Sequence, residues 1–320
     1  MKKVGESRQD VTLVDCGPRD GLGAISREVA TVDKIRLINC LVEAGITKID
    51  CVAFTHPRLI PQNSDAEKVM DGLKKRQEVT YIGLAPSEVA CRRAVLTQVD
   101  EVLTLVAASE AFNHSALGLS TKILLNKTLP AIFETAHDGG KTISAYILTA
   151  FGCPYSGSVD LEKVLEIASR LAFMGANEIT LVDSTGMANP IQVKKVVAAV
   201  TELGLGADIA VHFHDTRGTG LVNCVAAYEE GIRIFDTAIA GFSGTPFGAH
   251  KLDMGFWNVP TEDLAHLFEQ MGVSTGVDLE RLLECGALAE RLAGIRLSSH
   301  LLRAGLSSEL AEIGEQLKLR

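Results

Sequence analysis

Two histidines one residue apart are the strongest candidates for chemistry in this sequence. They lie in Val211-His212-Phe213-His214-Asp215, at the end of an apolar run. Alternate residues of a strand point to the same side, so a strand here would bring both imidazoles together. Such a pair can bind a divalent metal ion, although two buried, hydrogen-bonded histidines would give the same pattern. We treat His212 and His214 as candidate metal ligands.

A polar turn near the start of the chain offers a carboxylate and a guanidinium side by side. The segment reads Asp15-Cys16-Gly17-Pro18-Arg19-Asp20-Gly21-Leu22. Asp20 could complete a mixed oxygen and nitrogen site, which suits Mg²⁺ or Mn²⁺, with Zn²⁺ or Co²⁺ as alternatives. Arg19, always charged, could stabilise a developing enolate oxygen. The same composition also suits an ordinary turn.

Two further segments carry candidate residues. Asp183 ends an apolar run and precedes Ser184-Thr185-Gly186, so it could act as a general base or cap the next helix. The glycine-rich segment Gly241-Phe242-Ser243-Gly244-Thr245-Pro246-Phe247-Gly248 is typical of a loop that closes over a site, although glycine also serves any tight turn. It predicts that Thr245, Phe247 and Gly248 contact the substrate.

The elements that must position these residues alternate between short apolar runs and amphipathic helices. The strand-like runs are residues 12–15, 48–54, 80–85, 101–107, 142–149, 178–183, 209–214 and 234–240, and helix-like segments between them include 32–44, 160–174, 190–203 and 221–231. Eight such units predict a (β/α)₈ TIM barrel, with the candidate residues at the carboxyl ends of its strands. Strands one and eight would meet at the seam, which brings Asp20 towards both histidines. An open doubly wound sheet is the alternative, but no GxGxxG turn follows the first strand.

Three helical stretches follow the eighth strand, at residues 261–271, 278–292 and 298–317. They exceed one closing helix and predict a C-terminal helical extension, packed on the barrel or against a partner subunit. Without a Pro- or Ser-rich linker, we expect one catalytic domain over residues 1–320, with the barrel at about 11–272 and the C-terminal helices at about 278–317. We also expect a homo-oligomer.

Composition narrows the partners and the compartment. The net charge of −9 argues against nucleic acid or an anionic membrane as the main partner. No apolar run is long enough to span a bilayer, and the polar start lacks a signal segment, so we expect a cytoplasmic protein. The seven cysteines are scattered, without a CxxC pair, which indicates reduced thiols.

Together these motifs resemble the 3-hydroxy-3-methylglutaryl-CoA lyases, within the metal-dependent lyase and aldolase barrels. The matching segments run in family order from about residue 11 to 286: Gly17-Pro18-Arg19-Asp20-Gly21, Phe151-Gly152-Cys153-Pro154-Tyr155, Asp183, His212-Phe213-His214-Asp215-Thr216, Thr261-Glu262-Asp263-Leu264 and Gly272-Val273-Ser274-Thr275-Gly276-Val277. The resemblance implies a metal-dependent retro-Claisen cleavage of a 3-hydroxyacyl-CoA to an acyl-CoA and a keto product. The substrate would be 3-hydroxy-3-methylglutaryl-CoA or a related branched analogue.

The resemblance also implies roles for single residues. Asp20, His212, His214 and Asn258 would bind the metal ion. Arg19 would stabilise the enolate of the acyl-CoA product. Asp183 and His212 would take part in proton transfer.

Three departures from the family pattern favour a relative with a different substrate. Thr245 stands where the family's loop has a cysteine that handles a proton, and a hydroxyl exchanges protons poorly at neutral pH. Gly23-Ala24-Ile25 replaces the family's Gln-Asn-Glu, and Ala53 replaces a serine.

Three other interpretations remain. One is an aldolase of 4-hydroxy-2-oxoacids that uses no CoA. Another is a condensing synthase of the isopropylmalate type, whose usual Leu-Arg-Asp-Gly-Glu-Gln differs from this turn. The third is a non-catalytic paralogue, against which the retained Arg19, Asp20, His212 and His214 argue, since an idle site need not keep a costly polar cluster.

Overall fold

Eight parallel strands form a closed barrel in sequence order, which confirms the predicted TIM barrel. A computed structural model describes residues 9–25, 27–243, 257–308, 310 and 314. The strands are β1 (Thr12–Asp15), β2 (Lys48–Ala53), β3 (Thr80–Leu84), β4 (Glu101–Ala107), β5 (Thr142–Leu148), β6 (Glu178–Asp183), β7 (Asp208–Phe213) and β8 (Ile234–Thr237). Strand β1 pairs with β8 over four residues, from Thr12 with Ile234 to Asp15 with Thr237, and this pairing closes the barrel.

Helices surround the strands. The longer ones and the last are α1 (Thr31–Glu43), α2 (Ala66–Gly72), α3 (Glu88–Val95), α4 (Leu129–Asp138), α5 (Leu161–Phe173), α6 (Pro190–Thr201), α7 (Gly220–Glu229), α8 (Thr261–Gln270), α9 (Leu279–Ala293) and α10 (Leu301–Ala304). Short helical turns lie at Gly17–Gly21, Leu22–Ala24, Pro61–Asn63, Glu110–Phe112, Asn113–Leu117, Thr121–Ile123, Leu124–Thr128 and Ile239–Gly241. No helix in these described ranges is both long and apolar enough to cross a bilayer.

Helix α5 shows why these segments fold as they do. The Asp160 side chain accepts a hydrogen bond from the backbone N–H of Glu162 and so caps the first turn. Its buried residues are Val164, Ile167, Ala168 and Leu171. Their spacing of three and four residues forms one apolar stripe, which packs against the outside of the barrel.

The barrel interior is a separate, smaller core. It contains Val14, Ala53, Ile82, Leu84, Leu103, Tyr146 and Val182. Its amino-terminal end carries a buried charge cluster, in which Lys48 Nζ lies 3.1 Å from Glu101 Oε1 and 2.7 Å from Glu178 Oε2. The candidate residues lie at the opposite, carboxyl end of the barrel, where active sites of this architecture are found.

Five strands end earlier than predicted, and β2, β3, β5 and β7 each do so by one residue. Strand β8 stops at Thr237 instead of residue 240, because the backbone turns at Ile239–Gly241, where Ala240 has a left-handed φ of 58°. Strand β7 stops at Phe213, one residue before His214. His214 forms an isolated antiparallel bridge with Asn258 instead.

The C-terminal extension packs on the first barrel helix, and two of the earlier expectations are corrected there. Cys40 of α1 and Cys285 of α9 form a disulfide with Cα atoms 5.8 Å apart, so not all thiols are reduced. Sequence spacing could not show this pair, because 245 residues separate its members. The helix predicted at residues 298–317 is not continuous. Helix α10 covers Leu301–Ala304, Gly305 follows with φ 73°, and the described residues 307, 308, 310 and 314 are helical again.

Candidate active site

The four predicted metal ligands lie together at the carboxyl end of the barrel. The Oδ1 atom of Asn258 lies 2.9 Å from Nε2 of His212, and its Nδ2 donates to Oδ2 of Asp20 at 3.0 Å. The His214 ring lies beside that of His212, with centroids 5.3 Å apart. The turn after β1, strand β7 and the segment before α8 thus contribute to one cluster.

The side-chain donor atoms of this cluster are of the types, and at the distances, that a divalent ion needs. Ligand atoms at about 2.1 Å from an octahedral ion are about 3 Å apart, close to the distances around Asn258. Nδ1 of His214 is buried and has no hydrogen-bond partner among the described residues. Burial, with His212 nearby, lowers the pKa of His214, which favours the neutral form that binds metals. When only His, Cys, Asp and Glu are counted, the described residues include no group of three that could hold a metal ion. The cluster here includes an amide, since Asn258 lies between Asp20 and His212.

Arg19 is held by two carboxylates. Its Nε donates to Oδ2 of Asp50 at 2.7 Å, and its Nη1 donates to Oδ1 of Asp20 at 2.8 Å. Burial raises the pKa of Asp50 to about 7, and the Arg19 charge opposes that shift. The remaining nitrogen, Nη2, is buried without a hydrogen bond to any described residue. The guanidinium is therefore fixed in position with one donor group left for a substrate oxygen.

The structure adds a hydrogen-bond chain that the sequence analysis missed. The Tyr146 hydroxyl donates to Oδ2 of Asp236, and Nδ1 of His212 lies 3.3 Å from the same oxygen. A carboxylate on the far nitrogen of a metal-binding histidine typically fixes its tautomer and orientation. In the sequence, Asp236 and Asp50 differ from their neighbours as single aspartates inside apolar runs, Phe235-Asp236-Thr237 and Ile49-Asp50-Cys51. This pattern could have marked them as candidate site residues.

Asp183 is fully buried at the end of β6 and caps a turn. Its Oδ1 accepts from the backbone N–H of Met187 at 2.8 Å, and its Oδ2 accepts from Ala188 at 3.0 Å. Helix α6 is capped by another residue, Asn189, whose side chain accepts from the N–H of Gln192. The structure thus gives Asp183 two backbone partners in the loop after β6.

The predicted loop residues Thr245, Phe247 and Gly248 lie outside the described part of the chain. The last described residue before them, Ser243, has its hydroxyl 3.4 Å from Oδ2 of Asp20. The chain therefore enters this loop beside the four-residue cluster.

A cavity of about 1140 Å³ lies between the loops that follow β1 and β2, with Arg19 and Asp20 in its wall. Its apolar lining includes Ala24, Ile25, Val29, Ala53, Ile60 and Leu84. A Cβ added at Gly23 would meet only Ile60 Cγ2, at 3.9 Å. The exposed cations Arg58 and Lys68 also line the cavity. Its size suits a small-molecule ligand, and part of its space exists because Gly23 has no side chain.

Comparisons with known proteins agree with this geometry. The HMGL-like family model matches residues 10–288. A hydroxymethylglutaryl-CoA lyase of Bacillus subtilis is 37% identical over 298 residues, which cover 93% of this chain and 98% of that protein. A 3-hydroxy-3-isohexenylglutaryl-CoA/hydroxymethylglutaryl-CoA lyase of Pseudomonas aeruginosa is 35% identical over 276 residues, covering 86% of this chain and 90% of that protein.

A solved structure shows the same likeness in three dimensions. The HMG-CoA lyase from Acinetobacter baumannii, in complex with coenzyme A and 3-methylmalate, has a TM-score of 0.87 and 33% sequence identity. The superposition covers 93% of this chain and 95% of that one. Family model, relatives and structure agree over nearly the whole barrel, so this chain belongs to the HMGL-like family and is a carbon–carbon lyase.

Proposed function

We propose that this protein is a divalent-metal-dependent lyase of 3-hydroxyacyl-CoA thioesters. Its substrate is 3-hydroxy-3-methylglutaryl-CoA or a related branched analogue, which it cleaves to an acyl-CoA and a keto product. The observation that carries this proposal is the fixed guanidinium of Arg19, whose Nη2 has no described partner and whose neighbour Asp20 belongs to the metal-ligand set. A fixed cation beside an oxygen and nitrogen donor set suits a reaction that develops negative charge on a thioester oxygen.

Each residue has a defined task in this proposal. Asp20, His212, His214 and Asn258 would hold the ion, with Mg²⁺ or Mn²⁺ preferred and Zn²⁺ or Co²⁺ as alternatives. When bound, the ion would lower the pKa of the tertiary hydroxyl of the substrate. Asp236 would orient His212 through Nδ1.

The bond cleavage itself places its charge near Arg19. The C3 hydroxyl loses its proton, C3 becomes a carbonyl carbon, and the C2–C3 electron pair moves into the thioester as an enolate. Arg19 Nη2 donates to that enolate oxygen. Proton transfer to C2 then completes the acyl-CoA. Asp183 is the group that we propose for proton transfer, because Asp236 and the ion would engage both ring nitrogens of His212.

The cavity supports a substrate branch larger than methyl. Its apolar lining includes Ile25, Ala53, Ile60 and Leu84, and Arg19 lines the same cavity. These residues include Ile25 and Ala53, two of the positions where the sequence departs from the polar family pattern. The Pseudomonas aeruginosa relative is named for a 3-hydroxy-3-isohexenylglutaryl-CoA substrate, which has such a branch.

One experiment tests the function directly. The protein, loaded with Mn²⁺, is incubated with a panel of 3-hydroxy-3-alkylglutaryl-CoA thioesters and of 4-hydroxy-2-oxoacids, and products are identified by mass spectrometry. We expect acetyl-CoA and the matching keto acid from at least one thioester. We expect neither product from a His212→Ala/His214→Ala variant, which should also lose stoichiometric Mn²⁺. Cleavage of the oxoacids alone would replace the proposal with the aldolase interpretation.

A further inference from the structure

The turn between β8 and the loop that follows it adopts a backbone conformation that side-chain-bearing residues rarely take. Ala240 has φ 58° and ψ 14°, and Gly241 follows with φ 73°. A left-handed conformation is unfavourable for alanine because its Cβ crowds the backbone. Ala240 is also fully buried, so neighbouring groups must hold this turn in place.

Two residues from later in the chain hold it. Oε2 of Glu262, on the first turn of α8, accepts from the Ala240 N–H at 3.0 Å. The N–H of Ser298, in the segment after α9, donates to the Ala240 carbonyl at 3.1 Å. Both backbone polar groups of Ala240 are therefore bound, and we call Glu262 and Ser298 the Ala240 clamp.

The clamp is built into the C-terminal extension. Glu262 is fully buried, and a Cβ added at Gly286 of α9 would come within 3.2 Å of its Oε1. A Cβ added at Gly241 would overlap the Ser298 hydroxyl. The turn, α8 and the segment after α9 are thus packed without space for even one further carbon at these two glycines.

The clamped turn is also the backbone partner of a proposed metal ligand. The Asn258 N–H donates to the carbonyl of Gly241 at 3.2 Å, and the side chain of Asn258 joins His212 to Asp20. Ser298 binds the carbonyl of Ala240, and Asn258 binds the carbonyl of Gly241. These two carbonyls belong to adjacent peptide units. A shift of the turn would therefore act directly on the backbone of Asn258.

We propose that Glu262 is a positioning residue for the metal centre. It acts through Ala240 and Gly241 to fix Asn258, and Ser298 makes the C-terminal extension part of the same support. The inference rests on the proposed function, because it takes Asn258 as a ligand. Burial raises the pKa of Glu262 to about 8. A glutamine at this position would keep a side-chain oxygen that can accept from the Ala240 N–H.

The test is Mn²⁺ binding by the full chain, measured as free Mn²⁺ by electron paramagnetic resonance, with circular dichroism and thermal melting as checks of the fold. We expect Glu262→Ala to weaken Mn²⁺ binding about 10- to 100-fold, as is typical when support of a metal ligand is lost. Glu262→Gln keeps an acceptor for the Ala240 N–H and should stay close to wild type.

Helix α8 offers a matched control in Glu269. Its carboxylate also accepts from a loop backbone, the Thr275 N–H at 3.1 Å, but at the other end of the helix. Glu269→Ala should lower the melting temperature without changing the Kd for Mn²⁺. If Glu262→Ala does not fold, Glu262→Asp replaces it, since the shorter side chain draws the acceptor away from Ala240.

The outcomes separate the two proposals. A folded Glu262→Ala or Glu262→Asp variant with wild-type Mn²⁺ affinity would overturn the positioning role. So would a Glu262→Gln variant that binds Mn²⁺ as poorly as Glu262→Ala, because the position of the acceptor would then not be what matters. Wild-type protein that binds no Mn²⁺, Mg²⁺, Zn²⁺ or Co²⁺ would instead refute the metal centre and, with it, the proposed function.

Discussion

Arg19 is held in place by two carboxylates and still has one donor group that could bind a substrate oxygen. Asp50 and Asp20 hold two of its nitrogens, and Nη2 remains without a described partner. Lysine has a single ammonium group and cannot bind two carboxylates and a substrate oxygen with the same planar geometry. We expect Arg19→Lys to reduce kcat by about 10²- to 10³-fold, as for loss of one fixed oxyanion donor.

This prediction is checked by acetyl-CoA release under saturating substrate. Mn²⁺ affinity and melting temperature should change little, since the ammonium group of the variant can still pair with one carboxylate. Wild-type turnover in the variant would remove Arg19 from the mechanism.

Gly23 is the residue that should set how large a branch the cavity accepts. A longer side chain there would extend towards Ile60 into the cavity. Each apolar methylene that loses its place costs about 0.8 kcal/mol, or about fourfold in kcat/KM. We expect Gly23→Gln to lower kcat/KM for long-branched thioesters relative to 3-hydroxy-3-methylglutaryl-CoA, in a ratio that grows with chain length.

Gly23→Ala is the control for that series. Its Cβ would make only ordinary van der Waals contact with Ile60, at 3.9 Å, so branch selectivity should hardly change. An equal fall for every thioester in the Gly23→Gln variant would mean that the cavity holds the CoA arm instead of the branch.

Thr245 carries a prediction from the sequence alone, since it lies outside the described residues. A thiol with a pKa of about 8.5 exchanges a proton near neutral pH far more readily than an aliphatic hydroxyl. Thr245→Cys should therefore raise kcat for 3-hydroxy-3-methylglutaryl-CoA from a low starting value. Fast cleavage of this substrate by the wild type would show that the threonine does not mark a changed substrate.

At the scale of elements, the strands could be predicted where the signal is local. Alternating and apolar runs located all eight strands, because burial on both faces leaves a continuous apolar pattern. The end of β8 could not be predicted, since the left-handed Ala240 donates to Glu262 and accepts from Ser298, which lie 22 and 58 residues further along the chain.

The residues of the candidate site could likewise be predicted only where the sequence signal is local. His212 and His214 follow from strand spacing, and Asn258 came only through the family resemblance, because a single asparagine before a helix carries no pattern. Asp50 and Asp236 were missed, since one buried aspartate in a strand is equally consistent with a structural hydrogen bond. Their importance depends on Arg19 and His212, which lie on other elements.

The disulfide between α1 and α9 makes a prediction for these two helices. A cross-link that closes a loop of more than 100 residues contributes up to about 5 kcal/mol in the chain-entropy model. Oxidised wild type should therefore melt at a higher temperature than Cys285→Ser, and a reductant should remove the difference.

Thiol titration in denaturant gives an independent measurement. Five of the seven cysteines should react before reduction and all seven afterwards. Seven reactive thiols in oxidised protein would show that Cys40 and Cys285 are not bonded.

At the scale of the whole molecule, the two ends of the barrel have different tasks. At the amino-terminal end, Lys48 lies between the carboxylates of Glu101 and Glu178. The carboxyl end gathers residues whose polar atoms are only partly paired, such as Arg19 and His214. The fold thus separates stability from chemistry, as the architecture of such barrels allows.

The closure of β1 on β8 has a consequence for how the protein is made. Asp20 and Asn258 are 238 positions apart in the chain, yet they share a hydrogen bond in the finished molecule. At roughly 5–20 residues per second, tens of seconds of translation separate their appearance on the ribosome. Until residue 258 has been made, a nascent chain lacks the full set of proposed ligands. The proposed metal centre would therefore be complete only near the end of synthesis, and truncated chains released earlier should carry neither the ion nor the activity.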